Sequence, residues 1–282
     1  MSKERTHMYT LKMGASSAGR DYSLTMKDFL AYKNAGIEFM EFSTNADVYE
    51  NADWKEIKRA SEETGVKIWS VHAPFRSKDD NISNPDEKMR LKAIETYTEV
   101  FRNAAFIGAK IVIVHPSSEP ISDEERPAYI ARSKESLKVL AERAAQYGIT
   151  IAVEDLPRTC LGNTAEELKD IISVDGRIRI CFDVNHLLKQ THRHFIEVIG
   201  DKIATLHISD YDFVDERHQF PGNGKIDWKE LLDLLESINY SGPFMYEVRM
   251  ANTAQEVLPG TRYAGTLADG KANFEKVMER KI

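Results

Sequence analysis

Eight short apolar runs recur along this chain, and each is followed by a longer stretch of helical period. The runs are YTLKMGAS (9–16), IEFMEF (37–42), KIWSVHA (67–73), KIVIVH (110–115), ITIAVED (149–155), RIRICFD (177–183), KIATLHISD (202–210) and PFMYEV (243–248). They are rich in Val and Ile and read as strands. Between them, Met89, Ala93, Tyr97, Val100, Ala104 and Ile107 fall 4, 4, 3, 4 and 3 residues apart, the spacing of one helical face. Helix starts are expected at Ser83-Asn84-Pro85, Asn163-Thr164 and Asp227-Trp228. Gly36, Gly65, Gly108 and Gly148 stand just before the next strand, where each supplies a left-handed helix end. Eight β-then-α units in 282 residues predict an α/β fold, a single (β/α)8 TIM barrel occupying residues 1–282 as one domain. An open doubly wound sheet is the alternative. No G-x-G-x-x-G follows the first run, which counts against its dinucleotide-binding version.

Composition narrows the class. Hydrophobic residues make up 42%, charged residues 29%, and the net charge is −7. This is the profile of a globular protein, and the acidity argues against a nucleic-acid partner. Two cysteines, Cys160 and Cys181, make no disulfide framework. No run of 18 apolar residues predicts a membrane span, and the first residues lack a secretion signal, so a cytoplasmic location is expected.

The chemistry collects at strand ends. His72, His115, Glu154, Asp183, His207 and Glu247 each close an apolar run, and Glu41 comes near the end of the second. Alternation places Ile68, Ser70 and His72 on one face, as it does Thr150, Ala152 and Glu154, then Cys181 and Asp183, then Ile203, Thr205 and His207, then Met245, Glu247 and Arg249. The opposite faces are mostly apolar, as helix-covered faces are. The polar ends therefore point into the barrel mouth, where side chains from separate strands converge. Two glutamates, an aspartate and a histidine form a divalent-metal set, because a cation offsets the cost of inward carboxylates. Mixed oxygen and nitrogen donors suit Mn²⁺, Mg²⁺, Co²⁺ or Zn²⁺. A hydrogen-bonded mouth without metal is the alternative. His186 follows Asp183 by three residues and returns to the same side if the chain turns helical there. His192 and His194 read as solvated helix-start residues. Two long loops, 209–226 and 251–269, follow the last two strands; the first contains Arg217, His218, Gly222 and Gly224, and Asp227 just after it caps the next helix.

VHAP (71–74), VHP (114–116), VED (153–155), CFDVNH (181–186), HISD (207–210), RHQFPGNGKIDW (217–228) and YEV (246–248) together resemble the xylose-isomerase-like TIM-barrel superfamily over roughly residues 8–280. Within it the chain looks like the sugar phosphate isomerase/epimerase branch, which includes ketose 3-epimerases, hydroxypyruvate isomerase, inosose isomerases and dehydratases, and endonuclease IV. The resemblance implies one divalent metal, commonly Mn²⁺, on Glu154, Asp183, His207 and Glu247. It implies Glu154 and Glu247 as the acid/base pair that moves protons through a cis-enediolate. It places His72, His115, His186, Arg217 and Glu41 at the substrate, a small sugar or polyol carbonyl. A metal-dependent dehydratase acting on an inosose- or dehydroshikimate-like compound is the second reading. An endonuclease IV-like nuclease is a third, with extra metals at His72, His115, His186, Glu216 and His218; Glu216 departs from that enzyme's Asp. A homodimer or homotetramer is expected of such barrels.

Overall fold

The computed structural model describes residues 9–75 and 80–282. All eight expected strands are present: β1 (Met13–Ser16), β2 (Phe39–Phe42), β3 (Lys67–His72), β4 (Ile111–Val114), β5 (Thr150–Glu154), β6 (Arg179–Asp183), β7 (Ile203–His207) and β8 (Phe244–Tyr246). They are parallel and ordered β7-β6-β5-β4-β3-β2-β1-β8. The barrel closes where the Ile208 amide donates to the Met245 carbonyl (2.8 Å) and the Glu247 amide donates to the Ile208 carbonyl (3.0 Å). The helices are α1 (Met26–Asn34), α2 (Ala46–Glu50), α3 (Trp54–Thr64), α4 (Glu87–Phe106), α5 (Arg126–Gln146), α6 (Ala165–Ile172), α7 (His192–Ile199), α8 (Trp228–Ser237) and α9 (Leu267–Met278). Thr164 and Asp227 cap α6 and α8 as expected, while α4 is capped by Asp86, just past the Ser83-Asn84-Pro85 turn. Gly36, Gly65, Gly108 and Gly148 all have φ between 67° and 90°, so the backbone turns out of each helix there. Among the described residues, no helix is long and apolar enough to cross a membrane.

Two layers of apolar side chains divide at the strands. The larger core lies between strands and helices and includes Phe29, Val71, Phe101, Val112, Leu140, Val153, Phe182 and Leu206. A small inner cluster of Ile111, Ile113, Ala152 and Cys181 fills the barrel, with Trp69 and Ala204 packed on it. This corrects the simple alternation expected in two strands. The β2–β3 pairing steps from Met40↔Ile68 to Glu41↔Ser70, and the β6–β7 pairing steps from Ile180↔Ile203 to Cys181↔Thr205. Trp69 and Ala204 are the extra residues, and a bulge of this kind reverses parity across itself. Ile68 and Ile203 consequently pack in the outer core, whereas Trp69 reaches into the barrel and donates from Nε1 to Thr205 Oγ1 (3.2 Å). Ser70, His72, Thr205 and His207 keep their inward direction beyond each bulge.

The long loop after β7 is ordered by one carboxylate. Asp210 is fully buried and accepts from the amides of Tyr211 (2.9 Å), Gly222 (2.7 Å) and Ile226 (3.2 Å) and from Trp228 Nε1 (2.9 Å). At Gly224 a Cβ would overlap Asp210 Oδ1 and the Tyr211 carbonyl, so only glycine lets the loop pass this close. The loop after β8 is partly built as well: β9 (Met250–Ala251) pairs with β10 (Gly265–Thr266). His192 differs from expectation. It is half-buried, Nε2 donates to the Val184 carbonyl (2.8 Å), and the ring lies edge-on to Phe182 and Tyr211. His194 is exposed.

Candidate metal centre

Parallel strands ending at one rim bring distant residues together. Glu154, Asp183 and His207 are the last residues of β5, β6 and β7, and Glu247 follows β8 directly. The register sets Asp183 opposite His207. One ligand atom from each of Glu154, Asp183, His207 and Glu247 lies within 4.8 Å of all the others.

In Glu154, Asp183 and His207 the other polar atom is held by the protein, which fixes the direction of the remaining one. The Asn185 amide donates to Asp183 Oδ1 (2.8 Å), leaving Oδ2 facing the cluster. Asp155 accepts the Asp183 amide (2.7 Å), and burial pushes the Asp155 carboxyl up to about 8. His207 donates from Nε2 to the Glu41 carboxylate (3.1 Å), which also accepts from Ser70 Oγ (2.8 Å). With Nε2 committed, Nδ1 faces Glu154 Oε1 (3.0 Å), Glu247 Oε2 (3.4 Å) and Asp183 Oδ2 (4.0 Å). A carboxylate behind an imidazole in this way fixes the ring and the tautomer that presents a lone pair forward.

Protons stand where a cation fits. Burial pushes the Asp183 carboxyl well above its ordinary range, against the pull of His186. Burial alone would lower His207, but Cys181 and the carboxylates of Glu247, Glu41 and Glu154 outweigh it and hold the imidazole well above its ordinary value. Burial alone would also raise Glu154, but His207 and His115 hold it well below the usual carboxylate range. Among the described residues, Asp183 Oδ2 and Glu247 Oε2 are buried without a hydrogen-bond partner. Two buried oxygens left open, beside an oxygen and a nitrogen aimed at the same point, match the donor set of a divalent ion.

Around this cluster lies a cavity of about 450 Å³ lined by His72, His115, Glu154, His186, Glu216, His218 and Glu247 among others. His115 Nε2 (2.9 Å) and His72 Nε2 (3.2 Å) both face Glu154 Oε2, and the Phe75 ring packs against both imidazoles. His186 donates from Nδ1 to the Asp155 carbonyl (2.7 Å) and sets Nε2 3.0 Å from Glu216 Oε2 and 3.3 Å from Asp183 Oδ2. The hydrogen bond from His186 lowers Glu216 to about 2. His186, Glu216 and His218 also bring ligand atoms within 4.8 Å of one another, as do His72, His115 and Glu154.

Two expected substrate residues are placed elsewhere. Arg217 does not line the cavity; its Nε donates to Asp212 (2.9 Å) on the outer side of the loop. Glu216 and His218 both turn inward, and the residue between them is left facing out. Glu41 is fully buried beneath His207 and does not reach the cavity, so its place is behind a ligand atom. Arg158 lines the cavity unanticipated, and it joins three loops by ion pairs to Glu119 (2.7 Å), Asp215 (2.8 Å) and Glu216 (3.1 Å). Its only sequence signal is position, four residues past Glu154 on the rim side of β5.

Comparison with known proteins places the chain in a family. D-psicose 3-epimerase of Ruminiclostridium cellulolyticum is 25% identical over 260 residues, 87% of this chain and 84% of its own length. Among solved structures, a D-tagatose 3-epimerase-like protein superposes with a TM-score of 0.79 at 23% identity, covering 95% of this chain and 97% of that one. The IOLI protein with a bound zinc atom superposes with a TM-score of 0.74 at 19% identity, covering 95% and 96%. The model of the xylose isomerase-like TIM barrel family matches residues 29–268, and this chain, an enzyme, belongs to that family.

Proposed function

We propose that this enzyme is a divalent-metal-dependent isomerase or epimerase of a small sugar, inosose or related hydroxy-carbonyl compound, with Mn²⁺ as the favoured ion. The observation that carries the reading is the convergence of Glu154, Asp183, His207 and Glu247, with Asp183 Oδ2 and Glu247 Oε2 buried and open. The names of the relatives support the substrate class, and the zinc in the IOLI structure supports a metal in this fold. When bound, the cation supplies positive charge that acidifies the carbon-bound proton next to a carbonyl and stabilises the charge left behind. Glu154 ends β5 and Glu247 follows β8, so the two carboxylates reach the cavity from different parts of the rim and serve as the two groups that exchange a proton with the substrate. Glu154 carries His115 and His72 on its outer oxygen, which balance its charge and hold it in place. His186 and His218 are positioned to contact substrate hydroxyls, and Phe75 gives an apolar wall against which C–H faces pack. The test is a screen of metal-supplemented enzyme with ketoses, inososes and hydroxypyruvate in deuterated water. Deuterium appearing next to the carbonyl supports the reading; its absence from every compound contradicts it. A product lighter by one water would assign a dehydratase instead.

Two further results are expected of the centre. Asp183 and His207 hold raised pKa values without a cation, and both must lose a proton to present a donor atom. Metal affinity should therefore rise with pH, on the order of tenfold per unit for each proton displaced, and level off above the higher of the two. Calorimetric Mn²⁺ titrations at several pH values check this; a flat or inverted dependence would contradict it. Replacing Glu41 by Ala frees the His207 ring and should weaken metal binding by about 10–100-fold. Unchanged affinity in Glu41→Ala would remove Glu41 from the account.

A further inference from the structure

The cavity wall carries several basic side chains, and nearly all of them face groups of the protein. His72, His115 and His186 face carboxylates, and Arg158 is shared among three. Arg249 is different. Its side chain lines the cavity, and among the described residues its guanidinium has no carboxylate partner.

Its position is nonetheless built. Val248 and Met250 on either side are buried, Met250 pairs with Gly265 in β9–β10, and the Arg249 carbonyl accepts the Ala264 amide (2.9 Å). The backbone at 249 is therefore held. The side chain's stem runs over Gly19, where φ is +92° and a Cβ would stand 3.1 Å from Arg249 Cγ. Glycine at 19 gives the stem its path along the rim. Arg249 and Glu247 both line the cavity.

We propose that Arg249 binds a carboxylate carried by the substrate at the end remote from its reacting carbonyl, so that the natural substrate is a polyhydroxy aldehyde or ketone with a terminal acid group. A guanidinium fork matches a carboxylate in two parallel hydrogen bonds. Among the described lining residues one cation without a carboxylate partner balances one negative charge, whereas a phosphate dianion brings two into a cavity that also contains Glu119, Glu154, Glu216 and Glu247. Those carboxylates favour binding with the anionic end on the Arg249 side. The inference rests on the proposed reaction only for what happens at the opposite end of the substrate.

D-fructose, D-fructuronate and D-fructose 6-phosphate differ only at their last carbon and make the test. Their dissociation constants are measured by calorimetry on the manganese-loaded enzyme and on its Arg249→Gln and Arg249→Lys variants, with deuterium exchange followed in the same samples. Fructuronate should bind about tenfold or more tightly than fructose. Arg249→Gln should bring that ratio close to one, Arg249→Lys should restore part of it, and the preference should weaken with added salt. Equal binding of acid and neutral sugar, a preference that survives Arg249→Gln, or tighter binding of the phosphate overturns the proposal. Exchange decides the underlying reaction separately. An Arg249-dependent fructuronate preference without exchange in any sugar of the wider screen leaves the carboxylate site standing and defeats the isomerase reading.

Discussion

Glu154→Gln and Glu247→Gln are each expected to reduce solvent exchange into substrate by about 10²–10⁴-fold while the barrel stays folded. Glutamine keeps the shape of each side chain and removes the charge that accepts a proton. The two variants should differ in what accompanies the loss. Glu154 is bonded to His72, His115 and His207, so its amide leaves imidazoles facing an NH₂ group, and metal affinity should fall with activity. Glu247 Oε2 makes no hydrogen bond among the described residues, only the longer approaches to His207 (3.4 Å) and His218 (3.7 Å), so Glu247→Gln disturbs fewer neighbours. Exchange measured at saturating metal separates a lost base from a lost ligand. Full exchange in either variant would end the two-base assignment.

Asp210→Ala should destabilise the protein by about 3 kcal/mol or more, because it leaves three amides and an indole N–H without their acceptor in a buried place. For a chain this long that is a fall in Tm of roughly 6 °C or more. Activity should fall too, since the same loop carries Glu216 and His218 into the cavity. Thermal melts and exchange rates on one sample check both. A melt unchanged within a degree would mean that the loop is held by something other than this carboxylate.

The barrel itself was legible in the sequence because its determinants are local. Apolar runs alternate with period-3.6 runs eight times with little interruption, four glycines mark helix ends among them, and each apolar run appears as a strand. The gathering of Glu154, Asp183, His207 and Glu247 was legible for a related reason: in parallel strands that end at one rim, the last inward residue of each has one place to go. What escaped depends on contacts between distant segments. Trp69 and Ala204 read as ordinary members of their runs, and only pairing with β2 and β6 shows them as insertions that shift Ile68 and Ile203 outward. Arg217 was expected at the substrate because its loop was; its direction depends on Glu216 and His218 both turning in. Glu41 comes one residue before the end of its strand, and it meets His207 before it can meet the cavity. Asp210 lies within HISD, where nothing local says that four donors from residues 211–228 will close around it. Arg158 and Arg249 sit on loops whose course no periodicity reports.

The most direct test of the account is the metal content and stoichiometry of active enzyme, measured by elemental analysis and by Mn²⁺ titration of chelator-treated protein followed through exchange activity. The account predicts one tightly held divalent ion per chain at the four converging side chains, no activity after chelation, and recovery on adding one equivalent. Full activity in protein that contains no divalent ion, or tight binding that survives Asp183→Ala and Glu247→Ala together, would contradict it.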